Sequence, residues 1–192
     1  MGWVTLTLRK RELKQEHAYY QLRDLQISRA KRQLARSKSA GMASIQANQT
    51  KDVNAIKEQY DYSGIMEKIS TLRKSLGSSN DFGEKVSSGS AKVGGSTYTD
   101  YGEYKTAIDN AIADKQQEYQ KTISDRTEAI NDTKTMYDQQ KADLEQEVSD
   151  QETELDMEQV EVEAQMEAIS AEIQAVSDAI SSEIQASTIK LA

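Results

Sequence analysis

The sequence contains no cysteine and no proline, and aromatic residues make up only 6% of its 192 positions. Without cysteine, the chain forms no disulfide, no thiolate metal site and no cysteine nucleophile. The few aromatic residues and a hydrophobic fraction of 36% leave little material for the thick core of a compact enzyme. Because proline is excluded from helix interiors, its absence favours long helices. The composition therefore predicts an all-α fold built from long helices.

The motifs of common catalytic and metal-binding sites are also missing. The single histidine, His17, lies in a predicted helix and has no cysteine or second histidine with which to bind zinc. No glycine-rich segment has the spacing of a phosphate-binding loop. The acid-rich run 143–163 lacks the glycine-centred spacing of a calcium loop. We therefore expect a protein that is not an enzyme, with no catalytic, cofactor-binding or metal-binding residues, no cofactor and no small-molecule substrate.

Long hydrophobic runs are absent as well. No stretch approaches the roughly 18 consecutive apolar residues that cross a bilayer. The short apolar stretch near the N-terminus is followed at once by Arg9, Lys10 and Arg11, instead of the longer apolar region of a signal peptide. We expect no membrane span.

Charge is distributed very unevenly along the chain. Residues 1–40 carry ten Lys and Arg against three acids, whereas residues 142–192 carry one basic residue against fourteen acids. A basic arm of this kind can bind nucleic acid. The simpler interpretation is that the basic and acidic ends pair with each other, and the basic residues scatter around the helix instead of forming one stripe. Nucleic acid is therefore a possible partner that the sequence does not favour.

Apolar residues recur every seven positions in the basic half of the chain, which is one position of a coiled-coil heptad. The second heptad position is polar, so this seam is half apolar and half polar. We predict a basic helical arm over residues 9–76 with a break near residue 41, where Gly41 interrupts the pattern. The apolar heptad residues are Leu6, Leu13, Tyr20, Ile27 and Leu34, and the polar ones are His17, Asp24, Lys31 and Lys38.

The first eight residues show a different pattern. Val4, Leu6 and Leu8 alternate with threonines, and this period of two is typical of a strand. Trp3 is the only tryptophan in the chain and a large apolar anchor. We predict that residues 1–8 form an extended docking segment that contacts a neighbouring protein through these four apolar side chains.

Six of the nine glycines lie between residues 77 and 102, among many serines. This composition predicts a Gly/Ser-rich loop or tip over residues 77–102. Asp100 and Glu103 have the spacing of a capping box, which places the next helix start near Tyr101.

The remaining residues, 103–192, contain no glycine and no proline and predict a long acidic helical arm. Its apolar stripe shifts phase twice by four-residue steps, and such stutters locally unwind a left-handed supercoil. The heptad residues that we expect to contact partner helices are Ile123, Ile130 and Leu144 in one phase, and Leu155, Ile169 and Val176 in the next.

A hairpin with its tip near residue 90 would place residues 9–76 antiparallel to 104–171. The basic stretch 9–40 would then face 140–171, where the acids are densest. Equal arm lengths, opposite charges and a glycine-rich connection all agree on this topology. We predict a coiled-coil-like antiparallel hairpin; an extended rod that pairs with other copies uses the same heptads and is the alternative.

The N-terminal residues resemble those of a known class of proteins. The run GWVTLTLRK at residues 2–10, followed by Glu12, Leu13 and Lys14, is similar to small coiled-coil virion proteins of tailed bacteriophages. The resemblance implies a structural subunit of a virion, assembled in the host cytoplasm with other copies of itself and with other structural proteins. It assigns no functional residue.

Two other functions stay open. The chain could be a soluble coiled-coil hairpin that acts as an adaptor or chaperone of an export or assembly machine in the bacterial cytoplasm. Such a protein would be a stable monomer that contacts its partner through the tip. The third hypothesis is nucleic-acid binding through the basic N-terminal arm.

Overall fold

The structure is a computed structural model that describes residues 2–189. The fold is all-α, as predicted, and its only described strands are two residues long. Residue 1, which is the first residue of the predicted docking segment, lies outside the described residues. So do residues 190–192, which are the last residues of the predicted acidic arm. The elements are α1 (Trp3–Gln59), α2 (Ser63–Leu76), α3 (Phe82–Ser87), β1 (Lys92–Val93), β2 (Ser96–Thr97) and α4 (Tyr101–Ile189).

The chain divides into two compact units. The first unit combines residues 1–44 with residues 140–192, and the second unit is residues 45–139. Both units contain a part of α1 and a part of α4, and each has its own buried side chains. Those of the first unit are Leu13, Ile27, Val148, Val162 and Ile169, and those of the second are Ile69, Phe82, Ala91, Tyr104, Ile108 and Tyr137.

In the first unit, α1 packs antiparallel against α4. Arg9 forms an ion pair with Glu172, and Lys31, further along α1, forms one with Asp156. The residue number of the partner on α4 falls as the residue number on α1 rises, so the two helices run antiparallel. The predicted pairing of the basic stretch 9–40 with the acidic stretch is therefore confirmed within this unit.

The helix α1 continues through Gly41, so the predicted break near residue 41 is wrong. A glycine costs a helix interior about 1 kcal/mol relative to alanine, which tertiary packing can outweigh. Here a Cβ atom at Gly41 would lie 2.9 Å from Leu144 Cδ2. The glycine thus lets Leu144 pack directly over the α1 backbone in the first unit, and a larger side chain would require Leu144 to shift.

The interruption of the helical arm lies instead at residues 60–62, between α1 and α2. The Asp61 carboxylate accepts hydrogen bonds from the Ser63 hydroxyl at 2.6 Å and the Ser63 backbone N–H at 3.0 Å. These two bonds lower the pKa of Asp61. A short side chain that bonds the nearby backbone competes with continued helix, which explains the break. The Tyr62 ring then packs edge-on against the Tyr119 ring, 5.2 Å between centroids.

The N-terminal segment is helical from Trp3 onward, so the predicted extended segment over residues 1–8 is wrong for residues 3–8. A short alternating run does not by itself distinguish a strand from the start of a helix. The Thr7 hydroxyl donates to the Trp3 carbonyl oxygen at 2.8 Å, so this threonine is satisfied inside the helix.

Between α2 and α4 the chain folds into a small cap instead of an irregular loop. Phe82 and Ala91 are buried against Tyr104 and Ile108 of α4. The Tyr104 hydroxyl also donates to the Ser75 carbonyl oxygen at 3.0 Å, which ties α4 to the end of α2. These contacts pack the glycine-rich segment against α2 and α4.

A tight turn joins β1 to β2 within the cap. The strands are antiparallel, with Lys92 opposite Thr97 and Val93 opposite Ser96. Gly94 and Gly95 form the turn with φ of 58° and 90°. Positive φ at both central positions is the geometry that matches the twist of two strands, and glycine adopts it without strain.

The helix α4 begins at Tyr101, two residues before the start of the predicted acidic arm. The Glu103 backbone N–H donates to Asp100 Oδ1 at 2.9 Å. This bond satisfies one of the free N–H groups of the first turn. The capping interaction that the spacing of Asp100 and Glu103 predicted is therefore present.

Enlarging residue 41 tests the close approach of the helices. We expect Gly41→Leu to lower the free energy of unfolding by about 1–3 kcal/mol, because the new side chain overlaps Leu144. In a Leu144→Ala background the same change raises that free energy by about 0.5–1 kcal/mol, because leucine forms helix better than glycine. Urea denaturation followed by circular dichroism measures both values, and the same sign in both backgrounds contradicts the contact.

Candidate functional site

The heptad residues that the sequence offered as interaction candidates lie mostly inside the chain. Leu13, Ile27 and Ile169 are 0%, 2% and 7% exposed. They are covered by other residues of the first unit, so they are not a free docking surface. The half-buried candidates are Leu6, Tyr20, Leu34, Leu144, Leu155 and Val176 in the first unit, and Ile123 and Ile130 in the second.

The polar heptad residues of α1 lie in the same seam. All four, from His17 to Lys38, are half-buried. Lys31 contacts Asp156 at 2.5 Å and donates to Gln159. Asp24 Oδ1 is buried and has no hydrogen-bond partner. Polar groups at core heptad positions favour one register and one partner helix, and they lower the stability of the helix pair.

Tyr137 links the two long helices within the second unit. Its hydroxyl donates to Asp52 Oδ2 at 2.5 Å, and its ring is buried. The hydrogen bond to the Asp52 carboxylate, reinforced by burial, raises the pKa of Tyr137. The contact requires that the Tyr137 hydroxyl keep its proton, because that proton is donated to the Asp52 carboxylate.

Three basic residues of α1 form ion pairs with acids of α4 in the first unit. Every pair has at least one exposed side chain, so each pair contributes little to stability and is screened by salt. The hydrogen bond to Glu172 raises the pKa of Arg9. Their main effect is on register, because each pair forms at one alignment of the helices. The pairs are Arg9–Glu172, Arg23–Glu158 and Lys31–Asp156.

Four other arginines of α1 have no ion pair within residues 2–189, namely Arg11, Arg29, Arg32 and Arg36. Arg29, Arg32 and Arg36 are exposed and spaced by three and four residues, so they share one face of the helix. Leu22 and Leu25 continue the same line, each 52% exposed. We call these five residues the α1 outer stripe. The ten basic side chains of residues 1–40 as a set still scatter around the helix, but these three arginines share one face.

A complementary line of side chains runs along α4 in the same unit. Met157 and Val160 are 63% and 65% exposed. Glu147, Asp150 and Glu154 extend this line at steps of three and four residues and are also exposed. We call these five residues the α4 outer stripe. Sequence reasoning missed both stripes, although the three-and-four spacing would have indicated them.

The N-terminal candidates lie on the surface of α1. Trp3, Val4 and Leu8 are 56%, 54% and 55% exposed, whereas Leu6 is half-buried. The structure thus places three of these four side chains in the open, on the first two turns of a helix.

The second unit contains a groove of about 770 Å³ beside the cap. Leu72, Val93 and Ala111 supply its apolar wall. Charged side chains of both signs line the rest: Glu67, Lys68, Asp114 and Lys115. This groove could not be predicted from the sequence, because it forms only when the hairpin of the cap folds onto α2 and α4.

No group of three or more His, Asp or Glu side chains in the described part of the chain is arranged to hold a metal ion. None of the helices between residues 2 and 189 combines the length and the apolar content needed to cross a membrane. A scan against protein-family models finds no match, and searches of curated proteins and of solved structures find none either.

Replacing Asp24 tests whether the polar seam costs stability. We expect Asp24→Leu to raise the free energy of unfolding by about 1–3 kcal/mol, because it removes a carboxylate oxygen that is buried without a partner. Glu167→Leu, at an exposed position of α4, serves as the control and changes stability little. Thermal and urea denaturation measure the difference, and a destabilised Asp24→Leu variant contradicts the interpretation.

The Tyr137 contact predicts a pH dependence at alkaline pH. Because the folded-state pKa is raised, the stability from this group is complete below the unfolded pKa of about 10 and is lost as pH rises through the folded pKa. The stability difference between the native chain and Tyr137→Phe should therefore shrink above about pH 10. Tyr19→Phe, at a tyrosine that is 63% exposed, is the control. A difference that stays constant from neutral pH to about pH 11 contradicts the contact.

Proposed function

We propose that this chain is a non-enzymatic structural subunit that assembles with other copies of itself, as a component of a bacteriophage virion. The observation that carries the proposal is the apolar surface left outside the paired helices. Leu22, Leu25, Met157 and Val160 are each more than half exposed in the first unit, together with Trp3. Large apolar groups that line up on a surface mark sites where other proteins bind.

The chemistry of the chain's contacts supports a structural role. The side chains that meet between helices are aliphatic groups, ion pairs and hydrogen-bonded tyrosines, which set helix pairing and register. The resemblance of residues 2–14 to virion proteins of tailed bacteriophages supports the setting. In this proposal the partners are other copies of the chain and other structural proteins, and assembly takes place in the host cytoplasm.

One observation favours a second candidate function. The cap is a folded element with an apolar groove beside it, lined by Leu72, Val93 and Ala111. An adaptor or chaperone that contacts its partner through the tip would use such a groove. This function requires a stable monomer, whereas a structural subunit requires self-association.

The mass of the purified chain in solution tests the proposal. Light scattering over a range of micromolar concentrations should give a mass that is a multiple of 21.5 kDa, together with a strongly helical circular-dichroism spectrum. Association should persist at moderate salt, because exposed apolar side chains contribute to it. A fully helical monomer of 21.5 kDa at all concentrations contradicts the structural-subunit proposal and favours the adaptor.

A further inference from the structure

We infer that a second copy of this chain docks with its α4 outer stripe on the α1 outer stripe, so that arginines meet carboxylates and leucines meet Met157 and Val160. This inference rests on the proposed self-assembly and specifies its interface. It follows from three properties of the stripes: their position around each helix, their alignment along the helices and their charge.

The α1 outer stripe lies on the side of its helix that faces away from the seam, and the α4 outer stripe runs from the outer side of α4 to one flank of the seam. On α1, Leu25 and Arg29 are each two residues from buried Ile27, which is about half a helical turn.

On α4, Val160 is likewise two residues from buried Val162. In contrast, Glu147 directly precedes the seam residue Val148, and Glu154 directly precedes the seam residue Leu155, so both glutamates lie on the flank of the seam. Because the α1 outer stripe points away from α4, one chain cannot pair its own stripes with each other.

The stripes also match along the helix axis. Within the first unit, Arg23 lies level with Glu158, and Gly41 lies level with Leu144. Because the helices are antiparallel, residues at successively higher numbers on α1 lie at the same height along the axis as residues at successively lower numbers on α4. The level partners are Leu22 with Val160, Leu25 with Met157, Arg29 with Glu154, Arg32 with Asp150, and Arg36 with Glu147.

A neighbour in the same orientation, displaced sideways without a shift along the axis, would therefore make five matching contacts. Two are apolar on apolar, and three join an arginine to a carboxylate. The apolar contacts would supply affinity, and the charged ones would fix register and partner choice.

The charged groups of the stripes are available for such contacts. Arg29 and Arg36 have no hydrogen bond or ion pair within residues 2–189, and Arg32 donates only to the Ser28 carbonyl oxygen on its own helix. Glu154 has no partner in that part of the chain. Asp150 and Glu147 accept hydrogen bonds only from glutamines of α4.

The proposed interface can repeat from one copy of the chain to the next. When an interface joins two different surfaces of the same chain, each added copy presents a fresh binding surface, so assembly continues to a closed ring or an open filament. A structural subunit present in many copies needs such an interface.

A nucleic acid fits the α1 outer stripe less well. Phosphates would contact the three arginines, but Leu22 and Leu25 in the same line have no complementary group on a phosphate backbone. The acids of α4 lie in the same unit and would repel the strand. The observations therefore favour a second copy of this chain.

Two charge-reversed chains test the interface. Each reverses one stripe and keeps the other, so each should fail to self-associate while keeping its helicity, because the altered side chains are exposed. We expect the concentration of half-assembly to rise at least about tenfold for each chain alone. The α1 chain carries Arg29→Glu, Arg32→Glu and Arg36→Glu, and the α4 chain carries Glu147→Arg, Asp150→Arg and Glu154→Arg.

Mixing the two variants is the decisive arm of the experiment. In the mixture, the acidic α1 outer stripe of one variant can bind the basic α4 outer stripe of the other variant. Assembly should therefore return to the native mass. Only folded chains can recover assembly in the mixture. Recovery therefore shows that each variant alone lost docking and not folding. A control chain with Lys51→Glu, Lys57→Glu and Lys74→Glu has the charge change of the α1 chain but alters exposed residues of the second unit, and it should assemble like the native chain.

Three results overturn the inference. If the native chain assembles and both variants assemble equally well, or if mixing restores nothing, the stripes are not the interface, although the proposed structural function stands. A native chain that stays monomeric removes both proposals. If that monomer binds duplex DNA with an affinity that falls with salt and is lost in the α1 chain, the arginines belong to a nucleic-acid site.

Discussion

The half-polar seam between α1 and α4 in the first unit controls the alignment on which every other feature of that unit depends. Its buried apolar residues recur at multiples of seven, as Leu13 and Ile27 do on α1 and Val162 and Ile169 do on α4, so a slip of one heptad would still bring apolar groups together. The choice between registers comes from groups that fit only one alignment, namely the three ion pairs and the approach of Gly41 to Leu144. Stability is given up for this selection, as the unpaired Asp24 carboxylate oxygen shows.

The register of the seam also determines what the outer surfaces present. Because α1 and α4 are aligned at Gly41 and Leu144, the arginines of one outer stripe come level with the carboxylates of the other. A slip of one heptad inside the chain would misalign these charges and the apolar pairs beside them. The same polar contacts therefore serve folding and, in our proposal, the addition of further copies. The second unit has a different organisation, with a folded cap that packs against α2 and α4.

Long-range features of the fold could be predicted from the sequence, because they depend on sums over many residues. The opposite charges of the two ends and the heptad spacing indicated the antiparallel seam. The errors concern local choices that tertiary contacts decide: the helix through Gly41 is kept by its fit against Leu144, and residues 3–8 are helical despite their alternation. The cap was missed because Phe82 and Ala91 become a core only after a hairpin folds over them. The outer stripes were missed because counting charges does not show which of them share a helix face.

The absence of cysteine from the chain allows a direct measurement of the central claim, that α1 and α4 pair within one chain at the described register. Cysteines introduced by Gly41→Cys and Leu144→Cys should form a disulfide under mild oxidation, whereas Gly41→Cys with Met157→Cys should not. Mass spectrometry on a mixture of isotopically light and heavy chains then identifies the origin of each bond. Pairing within one chain yields only disulfides that join light to light and heavy to heavy, and mixed light–heavy disulfides would contradict it.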